Sequence, residues 1–149
     1  MNDPSADPES NASALADDIR LMMSGLKRRL REQNQSTDLT DSQKSVIVRL
    51  DRDGPTTVTT LAQAEGIRSQ SMGATVASLE AMGLVSGAPD PTDGRRTILS
   101  LTDHCREILS EGRAARQDWL VRSLQTSLTA AEQDQLASLI PLLTRLIES

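Results

Sequence analysis

Aromatic side chains are almost absent from this sequence, which has one Trp and neither Tyr nor Phe among 149 residues. Proteins that hold single-stranded nucleic acid or unpaired RNA bases stack those bases on aromatic rings. The lone Trp119 is more typical of a core or a subunit interface than of a ligand cage. The composition therefore excludes a stacking platform for single strands.

Cysteine and histidine are equally scarce, with one copy of each. A single Cys cannot form an internal disulfide, which is typical of a reducing compartment. A single His excludes a multi-histidine metal site, and no glycine-rich phosphate loop or defensible pair of catalytic groups occurs. We therefore expect no enzyme activity, no cofactor and no bound metal.

The lone thiol leaves two interpretations open. Cys105 falls in the first turn of a predicted helix, beside His104, where a lowered pKa would suit a redox sensor. A buried, unreactive Cys with a purely structural role is the alternative, and it is the one that we favour.

Long apolar runs are also missing, and the N-terminus has no basic-then-apolar secretion signal, so we expect a cytoplasmic protein.

The net charge of −5 is concentrated at the N-terminus, because five acids precede the first basic residue. From Arg20 onward, acidic and basic residues are equal in number at 16 each. DNA affinity depends on local contacts with phosphates and not on the net charge of the whole chain. An acidic N-terminal segment on an otherwise neutral chain is therefore compatible with nucleic-acid binding. Residues 1–12 are predicted to form a disordered acidic leader, and residues 13–149 a single domain.

Apolar periodicity predicts six helices, which begin near residues 13, 41, 58, 69, 102 and 130. Capping boxes at Thr40–Gln43 and Thr129–Glu132 mark two of these starts. Between the fourth and fifth helices, Leu84-Val85 and residues 98–101 flank a loop rich in Pro, Asp and Gly. This pattern is typical of a β-hairpin with a long tip, and the order is α-α-α-α-β-β-α-α.

Four segments resemble the MarR (multiple antibiotic resistance regulator) family. They are Thr60-Leu61-Ala62, Leu79-Glu80-Ala81-Met82-Gly83-Leu84-Val85, Asp93-Gly94-Arg95-Arg96 and Leu101-Thr102, and the resemblance covers about residues 13–148. It implies a mainly α, winged helix-turn-helix fold with a small β-hairpin wing. Residues 40–101 would form the DNA-binding lobe, and helices in 13–33 and 102–149 would join two copies. The family implies a homodimer that represses nearby genes and often releases DNA when it binds a small ligand.

The fourth helix is predicted to begin at Ser69 as its N-cap and to bury a stripe that ends at Met82, and it is the candidate for reading double-stranded DNA. With Met72, Val76 and Leu79 turned inward, helical spacing turns Gln70, Ser71, Ala74, Thr75 and Ser78 outward. Gln70 suits a bidentate contact to adenine, and the methyl group of Thr75 suits a thymine methyl. Ser69, Ser71 and Arg68 lie at the helix N-terminus, where phosphate is favoured. The alternative is an ordinary solvated helix face.

The hairpin tip carries the strongest candidates for DNA contact. Arg95 and Arg96 follow Gly94 directly, and guanidinium groups are attracted to the negative potential of a narrow minor groove. Asp93 is placed to orient Arg95 by a charge-assisted hydrogen bond. The alternative is a tip that is merely soluble.

Three helices outside the lobe have apolar stripes that need a cover. These stripes would be buried in a two-fold dimer, which also suits a palindromic operator. The alternative is a monomer whose terminal helices pack together. The resemblance also implies an effector pocket between the dimer helices and the lobe; a lining of Leu, Met and Ile would favour an apolar effector. We therefore predict a homodimeric, sequence-specific DNA-binding repressor, or, as the alternative, a winged-helix module that binds protein.

Overall fold

The computed structural model describes residues 8–34 and 38–149 and confirms the predicted order of elements. The chain is mainly helical, with one antiparallel hairpin. The elements are α1 (Pro8–Glu32), α2 (Asp41–Asp53), α3 (Val58–Glu65), α4 (Ser69–Ala81), β1 (Val85–Pro89), β2 (Thr97–Leu101), α5 (Asp103–Ser127) and α6 (Ala130–Ile147).

Helix α1 begins at Pro8, five residues before the predicted start, so the segment 8–12 assigned to the leader is helical. Proline is tolerated in the first turn of a helix because its missing N–H has no intrahelical partner there. Glu9 adds a negative charge beside the positive end of the helix dipole. The rest of the leader, residues 1–7, lies outside the described residues.

Both predicted capping boxes form. Thr40 Oγ1 accepts a hydrogen bond from the Gln43 N–H at 3.2 Å, and the Thr40 N–H donates to Gln43 Oε1 at 2.9 Å. Thr129 and Glu132 make the same reciprocal pair at the start of α6. Two ends of helices are thus fixed by contacts between residues three apart.

The two ends of α4 differ from prediction. Arg68, not Ser69, is the N-cap residue: its backbone is extended, and its carbonyl accepts the first helical bond from the Met72 N–H at 3.0 Å. At the other end, Met82 was expected in the buried stripe but is 45% exposed. The reason is that α4 ends at Ala81 and Gly83 turns the chain away with φ of +71°.

The hairpin pairs Val85 with Leu101 and Pro89 with Thr97 in antiparallel register. A third backbone segment joins it, since Thr56 and Leu99 exchange two hydrogen bonds at 3.1 and 2.7 Å. The loop after α2 is therefore attached to β2 through main-chain hydrogen bonds.

The chain divides into two units, and the core lies in one of them. The central unit covers residues 38–112, and the terminal unit contains α1 and residues 113–149. Among the residues whose burial is described, every buried one belongs to the central unit; the apolar set is Val46, Ile47, Leu50, Leu61, Ala62, Met72, Val76, Leu79, Leu84, Val85, Leu99, Leu101 and Cys105. Helices α2, α3 and α4 and the hairpin thus surround one apolar interior.

The terminal unit has no buried residue among those whose side chains are described. Its packing includes the guanidinium of Arg29, 5.6 Å from the ring centre of Trp119, and a 3.2 Å hydrogen bond from Arg116 to Asn34. Large apolar side chains of α1 and α6 stay exposed, among them Leu15, Leu21, Leu139, Leu142 and Leu146. Within the described residues, no helix is long and apolar enough to cross a bilayer.

An ion pair joins α2 to α3 at the edge of the core. Arg49 Nε donates to Glu65 Oε1 at 2.8 Å, and the two side chains are only 27% and 25% exposed. This bond, with a second from the Ser45 hydroxyl, holds the pKa of Glu65 below its ordinary value. Because the folded pKa is lowered, the stabilisation is complete above the unfolded-state pKa of about 4.3 and is lost as the pH falls through the folded value.

We predict that Glu65→Gln lowers the free energy of unfolding at pH 7 by about 1 kcal/mol, because the ion pair with Arg49 becomes a hydrogen bond from a cation to a neutral amide. It should also reduce the loss of stability between pH 6 and pH 3. Chemical denaturation at several pH values measures both effects. Asp17→Asn removes a carboxylate from an exposed pair with Arg20 and should change neither. Equal pH profiles for Glu65→Gln and the wild type would contradict the assignment.

Candidate nucleic-acid interface

The N-terminal half of α4 presents small polar side chains to solvent. Arg68, Ser69, Gln70 and Ser71 are exposed, and for Gln70 and Ser71 this was predicted from helical spacing. Thr75 is half-buried, and its hydroxyl donates to the Ser71 carbonyl at 3.3 Å. Small side chains let a helix enter a major groove deeply, and this end also presents the positive pole of the helix dipole.

Ser78 does not face outward as the spacing suggested. It is half-buried, because its hydroxyl accepts a hydrogen bond from Gln43 Nε2 at 2.9 Å and donates to the Thr75 carbonyl at 2.6 Å. The sequence identified Gln43 only as a capping residue of α2. Its second bond joins residues 35 positions apart, which no local pattern signals.

A small cavity lies behind this part of α4, with a volume of about 80 Å³. Ser42, Ser45, Glu65, Ile67, Met72 and Thr75 line it. Pockets for drug-sized ligands are typically about 300–1,000 Å³, so this cavity is too small to receive one in the described conformation. Within the described residues, no cluster of three or more His, Cys, Asp or Glu is arranged to hold a metal ion.

Arg95 is exposed to solvent at the tip of the hairpin. The Arg95 side chain is 92% exposed, and its Nε donates to Asp93 Oδ1 at 3.2 Å. The same oxygen accepts the Arg95 backbone N–H at 3.2 Å, so one carboxylate orders both parts of the residue. Asp93 thus makes the contact that the sequence suggested, and Arg96 beside it is also exposed.

A second carboxylate, which sequence reasoning missed, shapes the start of the tip. Asp90 Oδ1 accepts the Thr92 N–H at 2.9 Å and the Thr92 hydroxyl at 2.8 Å, and these bonds lower the pKa of Asp90. The Asp90 N–H donates to the Arg96 carbonyl at 2.9 Å and closes the loop. An aspartate followed two residues later by a threonine is a known turn pattern and was the available signal.

Helix α4 and the hairpin are joined through shared core residues and a short connection. Leu79 is fully buried, and the Leu84 N–H donates to its carbonyl at 3.0 Å. Thr102, at the end of the hairpin, donates its hydroxyl to the Gly83 carbonyl at 2.6 Å. The exposed face of α4 and the arginine tip are therefore carried by one packed unit.

Cys105 lies inside this unit and is 2% exposed. Burial raises the pKa of its thiol, and its backbone N–H donates to Thr102 Oγ1 at 3.1 Å. A redox sensor needs an accessible thiolate, so the burial favours the structural interpretation.

A helical hairpin, an exposed fourth helix and a strand hairpin with an arginine tip, all on one core, define a winged helix-turn-helix protein of the transcription-regulator class. A family model described as the MarR family matches residues 37–96. An HTH-type transcriptional regulator of Mycobacterium bovis is 38% identical over 134 residues, which is 90% of this chain and 93% of that protein. This chain belongs to the MarR family, whose members are transcriptional regulators and not enzymes.

Solved structures agree with this assignment. A putative transcriptional regulator from Pseudomonas aeruginosa is 37% identical, with a TM-score of 0.78 over 95% of this chain and 99% of its own. A MepR variant of S. aureus, bound to an oligodeoxyribonucleotide, is 22% identical and shares the fold, with a TM-score of 0.68 over 89% of this chain and 97% of its own.

We predict that Cys105 in the folded protein reacts with a maleimide at pH 8 only as fast as the central unit opens. Burial excludes the reagent and keeps the thiol protonated. Labelling followed by mass spectrometry, with and without denaturant, measures the rate. The double variant His104→Cys/Cys105→Ser moves the thiol to the adjacent exposed position and should react rapidly. Fast labelling of the wild-type Cys105 would revive the sensor interpretation.

Proposed function

We propose that this MarR-family regulator is a homodimer that binds double-stranded DNA sequence-specifically. Each protomer places α4 in a major groove and Arg95 in the adjacent minor groove. The observation that carries the proposal is the exposed Arg95, braced by Asp93 on a hairpin that shares its core with α4. A guanidinium held in the open at a hairpin tip suits the negative potential of a narrow minor groove.

The proposed contacts of α4 divide into positioning and reading. Arg68, Ser69 and Ser71 contact phosphates near the helix N-terminus, which sets the register on the duplex. Gln70 reads adenine, and the methyl group of Thr75 contacts a thymine methyl. Arg96 supports Arg95 at the wing. The oligodeoxyribonucleotide bound to the S. aureus relative is consistent with DNA as the partner for this fold.

The proposed dimer forms through the terminal unit. Its described side chains form no buried core in one chain, yet α1 and α6 expose leucines over much of their lengths. Apolar side chains in such number indicate a surface that a second copy covers. A two-fold dimer also matches a palindromic operator, with half-sites about one helical turn apart.

Repression of nearby genes, and release by a small apolar effector, complete the proposal. Both follow from the family resemblance, and the apolar character follows from an expected pocket lining of Leu, Met and Ile, because the chain has only one aromatic residue. The second candidate is a winged-helix module that binds protein; it is favoured by α4 having no charged residue from Ser69 to Leu79.

The first test selects an operator from a random-sequence duplex library with the wild-type protein and measures binding by fluorescence anisotropy across a salt series. We expect nanomolar affinity for the selected duplex and a steep salt dependence. Arg95→Ala should lose about 1–3 kcal/mol of specific binding. Arg20→Ala on α1 removes the same charge and should bind as the wild type does.

Each other outcome has a definite meaning. Unchanged affinity for Arg95→Ala would remove Arg95 from the interface. A wild-type protein that enriches no sequence and binds no duplex at low salt would overturn the DNA-binding proposal in favour of the protein-binding module.

The second test is the molecular mass in solution by analytical ultracentrifugation. We expect twice the chain mass of 16.1 kDa for the wild type and the mass of one chain for Leu142→Glu/Leu146→Glu, which places two charges on the exposed face of α6. Val48→Glu alters an exposed apolar residue of α2 and should stay dimeric. A monomeric wild type would mean that the terminal helices of one chain suffice.

A further inference from the structure

The side-chain amide of Gln43 is shared between two helices. Its Oε1 accepts the Thr40 N–H at 2.9 Å and so caps α2. Its Nε2 donates to Ser78 Oγ on α4 at 2.9 Å and lies 3.9 Å from Met82 Sδ. One residue therefore ties the start of α2 to the C-terminal half of α4.

The hydrogen bonds continue along α4 toward the proposed reading face. Ser78 Oγ donates to the Thr75 carbonyl at 2.6 Å, and Thr75 Oγ1 donates to the Ser71 carbonyl at 3.3 Å. Polar contacts thus run from the cap of α2 to two residues proposed to meet DNA.

The apolar contacts of α4 hold the helix against the core but do not by themselves fix small rotations about its axis. The buried stripe consists of Met72, Val76 and Leu79, and packing of this kind is not directional. A side-chain tip lies about 6 Å from a helix axis, so a rotation of about 10° moves it by about 1 Å. A hydrogen bond is directional and loses strength steeply when it is misaligned, so it can fix this rotation.

We infer that Gln43 is a positioning residue for DNA recognition: through Ser78 it sets the rotation of α4 and hence where Gln70 and Thr75 meet the bases. The inference rests on the proposed DNA-binding function. Because Gln43 and Ser78 are neutral and contact no phosphate in this role, they contribute to discrimination between sequences and not to the salt-dependent attraction.

The test compares Ser78→Ala with the wild type on the selected duplex and on a scrambled duplex. Ser78→Ala removes the acceptor, while alanine favours the helix and preserves stability. We expect about fivefold weaker binding to the selected duplex, unchanged binding to the scrambled one, and an unchanged salt slope and melting temperature. Ser78→Thr keeps the hydroxyl and should restore most of the affinity.

A double-mutant cycle separates this role from direct contact of Ser78 with DNA. Gln43→Glu keeps a side-chain oxygen that can accept the Thr40 N–H and cap α2. It has no N–H to donate to Ser78 Oγ, and the Ser78 hydroxyl hydrogen is already donated to the Thr75 carbonyl. If Gln43 acts through Ser78, the double variant Gln43→Glu/Ser78→Ala should bind the selected duplex as tightly as whichever single variant has the lower affinity. Additive losses would assign Ser78 to the DNA surface and overturn the inference.

Two further results would also overturn it. Ser78→Ala that binds the selected duplex as the wild type does would show that the bond does not set the reading position. Equal weakening on both duplexes together with a lower melting temperature would show a purely structural role. A wild-type protein that selects no duplex at all would instead refute the proposed function.

Discussion

Packing around the fully buried Leu79 joins the parts of the central unit that are proposed to work together. Met72 and Val76 of α4, Leu84 and Val85 at the start of the hairpin, and Leu99 of β2 belong to the same cluster. An apolar interior packed at close to crystal density resists sliding of its parts. The spacing between the exposed face of α4 and the arginine tip depends on that one cluster.

The two units differ in where their stability comes from. The central unit has a buried interior and a main-chain bridge between Thr56 and Leu99. The terminal unit has long helices whose apolar side chains remain exposed in a single chain. Association of two copies would therefore contribute to the folding of the terminal unit, whereas the central unit already has a core of its own.

Local signals account for what the sequence could predict. Capping boxes involve residues three apart, and the apolar stripe of α4 follows the helical period, so Thr40, Thr129 and Leu79 could be assigned from neighbours alone. The β-hairpin wing could be predicted because turn-forming residues separate two apolar runs. Within the candidate site, the exposed Arg68, Gln70 and Arg95 and the bond from Asp93 were anticipated, whereas their role in binding DNA is still a prediction.

Non-local contacts account for most of the rest. Ser78 turned out half-buried because its partner, Gln43, lies on another helix, and the bridge at Thr56 depends on a strand 43 positions later in the chain. The cap of α4 was misplaced by one residue for a different reason: the backbone of Arg68 supplies it without any side-chain bond, so residue preference gave no guidance.

The contacts that shape the hairpin tip all lie between Asp90 and Arg96. Two carboxylates order the loop from within, and a backbone bond between its ends closes it. The sequence of this seven-residue loop can therefore be replaced, or the loop made longer, without repacking of the interior. Paralogues could thus diverge at the proposed minor-groove contact while keeping the same core, and a designer could graft the tip onto another hairpin of matching register.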